Sequence, residues 1–403
     1  MRRCASVFLL LGAVLLSGEP FAAETSYPLE VLPAEHVKRI DPETGAALCF
    51  LSSDPAEDTN LYYEQRSWLA DSSLILFNSA RERGGLMGYL TQTGELVRIT
   101  TPTGGLGSPT AARERNRVFA VRGNQILEIA IAIDTSVSPT SVIAAERVIA
   151  ELDSAHQPFN CALSESSDGR YISAGVGARG GEDLLKLAHV IVVETGTGAV
   201  RDVVTLPGVE FHGHVMFSVT HPHLLSYARL KGPIVEVVDI RTGEIVWGHR
   251  PDPKVEFATH HCWWVDGAIT FCGGFHLEPN LESDVKVMDF RTGTVRIVGR
   301  GSWWPGAAPA ELARVNWWHA AGHESGRWIA ADNWHGDIGI FHGKTTRTYW
   351  LTRGHRTYGS GRHPEVGWDR RGEAVVFASH MLGNADVCVA TLPQGWQDSW
   401  GQQ

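Results

Sequence analysis

Apolar and polar residues alternate along this chain in short runs, and the runs recur. The recurring phrase is an apolar alternation, a Thr-Gly pair and a second apolar run. It reads Tyr89-Leu-Thr-Gln-Thr-Gly-Glu-Leu-Val-Arg98, then Val237-Val-Asp-Ile-Arg-Thr-Gly-Glu-Ile-Val246, then Val287-Met-Asp-Phe-Arg-Thr-Gly-Thr-Val-Arg296. A weaker copy lies around Val192 to Val204. Alternation with a period of two is the pattern of a strand with one face on a core, and the Gly supplies the positive φ of a tight hairpin. Other short β-rich runs lie between these phrases, such as Ser73-Leu-Ile-Leu-Phe77, Arg117-Val-Phe-Ala-Val121, Trp328-Ile-Ala-Ala331 and Ala374-Val-Val-Phe377. No helical periodicity persists beyond two turns after the N-terminal segment.

Gly243 and Gly293 lie 50 residues apart. A period near that length, filled with short strands, is the signature of a β-propeller whose repeats are four-stranded blades. The span divided by the period predicts an all-β, seven-bladed β-propeller, with residues 24–403 as a single domain. Asp41-Pro-Glu-Thr-Gly45 is expected in a blade that the C-terminal strands complete, which would close the ring. A pair of β-sandwiches would leave the interval unexplained.

The first 23 residues read as a signal peptide. Arg2 and Arg3 precede an apolar run from Val7 to Leu16 that is too short to span a bilayer, with cleavage expected near Ala22 or Ala23. A periplasmic or secreted protein without a membrane span follows from this. The later cysteines, Cys49, Cys161, Cys262, Cys272 and Cys388, are odd in number and lack a CxxC spacing, which argues against a disulfide framework. Cys262 and Cys272 flank one hairpin and would be either a pair or two free thiols. A formal net charge of -10 argues against nucleic acid as a partner.

Histidine supplies the candidate chemistry. Of the 18 histidines, 15 lie after residue 210, several in short motifs: Phe211-His-Gly-His214, Thr259-His-His-Cys-Trp263, Trp318-His319 and Arg362-His-Pro-Glu365. His214, His260, His319 and His363 are separated by 46, 59 and 44 residues, close to one blade each. Residues at equivalent blade positions converge near a propeller's axis, and neutral imidazole is the commonest metal ligand and general base at neutral pH. This predicts a metal site on the axis. The tryptophans at 263, 264, 303, 304, 317 and 318 would serve as sugar-stacking platforms or as packing between blades, with Trp318 the candidate substrate contact. Glu64-Gln65-Arg66, in Tyr62-Tyr-Glu-Gln-Arg66, would be a substrate contact or a blade-edge ion pair, with Arg66 the candidate substrate-binding residue.

Over nearly the whole mature chain, these motifs resemble the oligogalacturonate lyase family of seven-bladed propellers, which cleave pectic fragments by metal-assisted β-elimination. Tyr62-Tyr-Glu-Gln-Arg66 with Ser73-Leu-Ile-Leu-Phe77 is similar to the family's first full blade. Phe217-Ser-Val-Thr-His-Pro-His-Leu-Leu-Ser-Tyr227 is similar to a strand that leads to its catalytic loop. Thr259-His-His-Cys-Trp263 before Asp266-Gly267 resembles its Thr-His-Glu-Phe-Trp before Asp-Gly, and His363-Pro-Glu365 stands where it has His-Pro-His.

The resemblance implies a manganese ion held by His260 and His363, with Glu365 in place of a second His and Ser360 where the family has Gln. It also implies that the family's base His is replaced, by Arg229 on one match and Leu230 on another. The expected division of roles is therefore a divalent metal on His260, His363, Glu365 and His319. Arg229 would neutralise a substrate carboxylate, and Tyr227, His214 or His212 would act as base. The expected activity is β-elimination on a uronate-containing acidic oligosaccharide. The alternatives are an exported propeller that binds sugar or metal without turnover, and a metal-dependent hydrolase on the same centre. No Gly-x-Ser-x-Gly elbow supports serine hydrolase chemistry.

Overall fold

A computed structural model describes residues 25–100, 104–159, 162–179, 185–231, 234–250, 258–274 and 282–396, folded into seven small antiparallel sheets arranged in a ring. It is the seven-bladed β-propeller that the repeat predicts. The segment expected to be a signal peptide and Cys161 lie outside the described residues.

The innermost strands, in ring order and numbered here as blades I to VII, are Asp58–Asn60, Gly107–Ala111, Ser164–Glu165, Phe211–Phe217, Thr259–Trp263, Trp317–Gly322 and Gly367–Trp368. Blade VII is completed from the start of the chain. Its third strand, Asp386–Thr391, pairs with Ala47–Phe50, and Val37–Ile40 lies outside that. The hairpin at Asp41–Gly45 therefore lies in the blade that the C-terminal strands complete, as expected. Two further N-terminal strands were not legible in the repeat. Glu30–Leu32 covers the outer edge of blade I and Thr25–Pro28 the outer edge of blade II, giving each a fifth strand and pairing an otherwise open edge.

The recurring turn has one local cause. In Asp239-Ile-Arg-Thr-Gly243 the Asp239 carboxylate accepts the Arg241 N–H at 2.9 Å, and Gly243, at φ 76°, donates back to the Asp239 carbonyl at 2.8 Å. Asp289 and Gly293 repeat this in blade V, and Asp41 and Gly45 repeat it at the ring closure. A short Asp side chain mimics a turn's backbone acceptor, and the left-handed Gly carries no Cβ to clash.

Facing blades bury apolar clusters against each other. Between blades III and IV, for example, Val190, Val192, Phe217, Leu225 and Val238 pack together. At about 1.5–3 kcal/mol for each large side chain fully buried, such seams hold the ring. Trp263, Trp264 and Trp317 belong to these seams and are packing residues. Cys49, Cys262, Cys272 and Cys388 are free thiols, so the hairpin pair at 262 and 272 is not bridged. One short helix, Pro309–Val315, precedes the inner strand of blade VI, started by Pro309 and by Glu311 accepting the Ala308 N–H at 2.9 Å. No described helix is long and apolar enough to cross a membrane.

Candidate active site

The inner strands of blades IV, V and VI are each interrupted near their start. The pairing register slips between Gly213 and Met216, between Thr259 and Cys262, and between Trp317 and Ala320. These irregularities carry His214, His260 and the Trp318-His319 pair. Such bulges re-aim side chains out of the pleat's alternation. His214 and His260 both sit at φ 51°, and Glu365, before the inner strand of blade VII, at φ 55°. A left-handed backbone costs a non-glycine residue about 1–2 kcal/mol. Three such residues in one place mark a geometry held for its side chains.

The side chains form one continuous group. Ring centroids are 5.7 Å apart for His214 and His260, 4.4 Å for His260 and His319, and 5.7 Å for His319 and His363. Tyr63 touches the first three of these rings, at 6.0, 5.8 and 5.0 Å, and Tyr62 stacks on His214 at 5.9 Å. Trp318 lies against His260 at 4.6 Å, and Trp334 against His363 at 4.1 Å. His212 sits 5.4 Å from His214, and these two with His260 and His261 line a cavity of about 20 Å³, room for one water or ion.

Carboxylates orient the imidazoles. His319 Nδ1 is 3.0 Å from Asp332, which also accepts the backbone N–H of His319 at 2.8 Å and that of Glu365 at 2.7 Å. His214 Nδ1 is 3.2 Å from Glu64. Tyr63 donates to the His261 carbonyl at 3.0 Å, so towards both Tyr63 and Glu64 the His214 Nδ1 is the donor, which leaves Nε2 as the nitrogen for any chemistry of this ring. Burial, reinforced by neighbouring imidazoles, holds His260 and His319 well below the ordinary histidine range, so both are neutral. Burial pushes Asp332 up to about 7, and burial with the charge of Asp332 pushes Glu365 up to about 8. Tyr62 stays protonated because burial, Glu64 and Glu365 all oppose a phenolate.

The donor chemistry fits a divalent cation: neutral imidazoles, a partner carboxylate behind His319, and a buried His363 Nδ1 with no hydrogen-bond partner. The rings meet edge to face. Among the described residues no three axial ligand atoms stand within 4.8 Å of one another, so closing on an ion requires the rings to turn.

Arg229 and Tyr227 are elsewhere, against expectation. Successive residues of the strand Leu224–Arg229 point to opposite faces. Ala228 lines the cavity beside His212 and His214, whereas Tyr227 is buried in the seam with blade III. Arg229 is paired with Glu210 and, at 3.2 Å, with Glu236, whose carboxylate also accepts the Tyr227 hydroxyl. Neither side chain is free for a substrate. Arg66 lies where the inner strands end, lining a cavity of about 120 Å³ with Arg113 and Arg370, and is ion-paired with Glu165 at 3.0 Å. That is the ion-pair alternative. Trp318 is half-buried against His260, while Trp303 and Trp304, before the helix, are exposed.

Tyr63, Asp332 and Trp334 belong to the centre and were not singled out from sequence. Asp332 had a signal: it is the one acid in the apolar run Trp328–Asn333, where a buried carboxyl needs a partner.

Fold and centre together define a seven-bladed β-propeller with a buried histidine–carboxylate cluster on its axis. In fold it is similar to an oligogalacturonate lyase solved in complex with manganese, at TM-score 0.67 and 15% identity, over 94% of this chain and 100% of that one. It is equally similar to the oligogalacturonate lyase of Vibrio parahaemolyticus, at TM-score 0.68 and 14% identity, over 93% of this chain and 100% of that one. No protein-family model matches the chain, and no curated relative matches its sequence.

Proposed function

We propose that this protein is an exported lyase that cleaves uronate-containing oligosaccharides by β-elimination at the axial centre. The observation that carries the reading is the His214–Glu64 pair, a basic nitrogen backed by a carboxylate, 3.2 Å apart. Export rests on the charged and apolar pattern of the first 23 residues.

Elimination from a uronate requires an acidified C5–H, a base and a protonated leaving oxygen. His214 Nε2 takes the C5 proton, and Glu64 stabilises the imidazolium that forms. The electron pair becomes the C4=C5 double bond as the C4–O4 bond breaks. Tyr62, whose hydroxyl stays protonated, supplies the proton to O4. Trp318, packed against His260, offers an aromatic face to a sugar ring. A divalent cation on His260, His319 and His363, with Glu365 in reserve, would neutralise the substrate carboxylate and so acidify C5–H. The manganese-bound lyase of the same fold makes Mn²⁺ the first ion to try.

The experiment is a screen of acidic polysaccharides and their oligomers, with and without chelator, read by ultraviolet absorbance of the unsaturated product. Chelator-sensitive absorbance is the expected result. Saturated products would point to a metal-dependent hydrolase, and metal uptake without any turnover to a binding propeller; either one sinks the lyase reading.

A further inference from the structure

Away from the axis, blade III assembles a second cluster from three segments. His189 lies on the strand Leu185–Glu194, Asp202 on the edge strand Val200–Pro207, and His156 on the segment that follows Ser141–Glu151, the fourth strand of blade II. The pairing of the two strands brings His189 opposite Thr205, then slips after Val190, so that Asp202 stands opposite Ile191. In an unbroken ladder Val203 would hold that place and Asp202 would point to the other face. The bulge turns the carboxylate onto the face that carries His189.

The resulting contacts are close. Asp202 reaches His189 Nδ1 at 3.0 Å with one oxygen and His156 Nε2 at 2.9 Å with the other, and the two imidazole rings are 4.9 Å apart. One ligand atom from each of the three lies within 4.8 Å of the others, the sole such set among the described residues. His156 Nδ1 is held by Asp153 at 2.8 Å. A ligating histidine characteristically gives its second nitrogen to a carboxylate, which fixes the ring and the tautomer. Both rings are mostly covered, and Asp202 is half-open to solvent, leaving a side for water.

We propose that His156, His189 and Asp202 form a second metal site, separate from the axial centre, that takes a late first-row divalent cation. Two imidazoles and one carboxylate suit Zn²⁺, with a water as fourth ligand, and do not suit Mg²⁺ or Ca²⁺, which demand oxygen donors. Asp153 is the positioning residue behind His156.

Zinc titration of the full, untagged chain after chelator treatment, with bound metal counted by elemental analysis, tests this. His189→Ala lowers the zinc bound by one equivalent per chain relative to wild type, and His156→Ala does the same. In a His260→Ala/His319→Ala chain one equivalent remains and is lost when His189→Ala is added. Should that axial variant fail to fold, the His189→Ala comparison in the otherwise native chain decides, because His189 lies away from the axis. Unchanged zinc stoichiometry in His189→Ala, or a wild-type chain that binds no zinc, overturns the proposal. Failure of the axial reading looks different: wild type then binds one equivalent and His189→Ala none.

Discussion

Glu64 Oε2 stands 3.2 Å from His214 Nδ1 although 150 residues separate the two in the chain. The contact crosses the axis from blade I to blade IV and fixes which nitrogen of His214 carries the proton. If His214 is the base, His214→Ala lowers kcat by about 10²–10⁴, the usual contribution of a positioned general base. Glu64→Gln retains shape but loses the charge that stabilises the imidazolium, and lowers kcat more than it raises KM. Steady-state kinetics on uronate oligomers checks both; wild-type turnover in His214→Ala removes this residue from the chemistry.

If the axial centre holds a metal, Asp332 acts on it through His319, whose Nδ1 it holds at 3.0 Å. Asp332→Asn keeps the size of the side chain and weakens Mn²⁺ or Zn²⁺ at the axial centre by about 10–100-fold, the range for a carboxylate behind a ligating histidine. Isothermal titration in a His189→Ala background reads the axial site alone. Equal affinity in the two proteins would mean that His319 is not a ligand.

Arg229 is structural. Its removal leaves Glu210 and the buried Glu236 without their cation. Arg229→Ala is expected to cost about 1–3 kcal/mol, less than a fully buried pair because the guanidinium is partly exposed. Turnover of the folded fraction should be unchanged. Urea unfolding and lyase assays on the same sample separate the two effects, and a folded, stable but inactive variant would return Arg229 to the site.

Asp386, on the strand that closes the ring, is fully buried with neither carboxyl oxygen hydrogen-bonded. Burial, with the nearby charge of Asp58, pushes its pKa up to about 7. The folded chain thus keeps a proton that an unfolded Asp releases near about 4. Between those values the folded state binds more protons, so stability falls as pH rises from about 4 to about 7 and this contribution is then flat. Asp386→Asn should flatten that slope. Urea midpoints at pH 5 and pH 8 test it; the same pH difference in wild type and variant would assign the slope to other groups.

The ring and its closure were legible in the sequence because their causes are local. A pleat with a period of two needs only neighbouring residues, and the turn at Asp239–Gly243 needs only an Asp, a Gly and the short backbone between them. Repeated at a fixed interval, these leave little choice but to stack as blades. The histidines at 214, 260, 319 and 363 were legible as a group for the same reason, since the interval places them at equivalent positions. Thr25–Pro28 and Glu30–Leu32 escaped notice because they lie outside the repeat and pair with edges that the turn pattern does not reveal.

What the tertiary structure alone decided is the direction in which side chains point and the partners they find. A slip of one residue in a ladder moves a side chain to the opposite face, and no local pattern announces it. Such slips aim His214 and His260 at the axis and Asp202 at His189, while the unbroken pleat sends Tyr227 and Arg229 away from the cavity that Ala228 lines. Glu64 and Asp332 acquire their roles only when distant strands meet around the axis. The sequence determined a propeller with histidines at its centre; burial, bulges and contacts between blades decided which imidazoles meet a carboxylate and which charges are already paired.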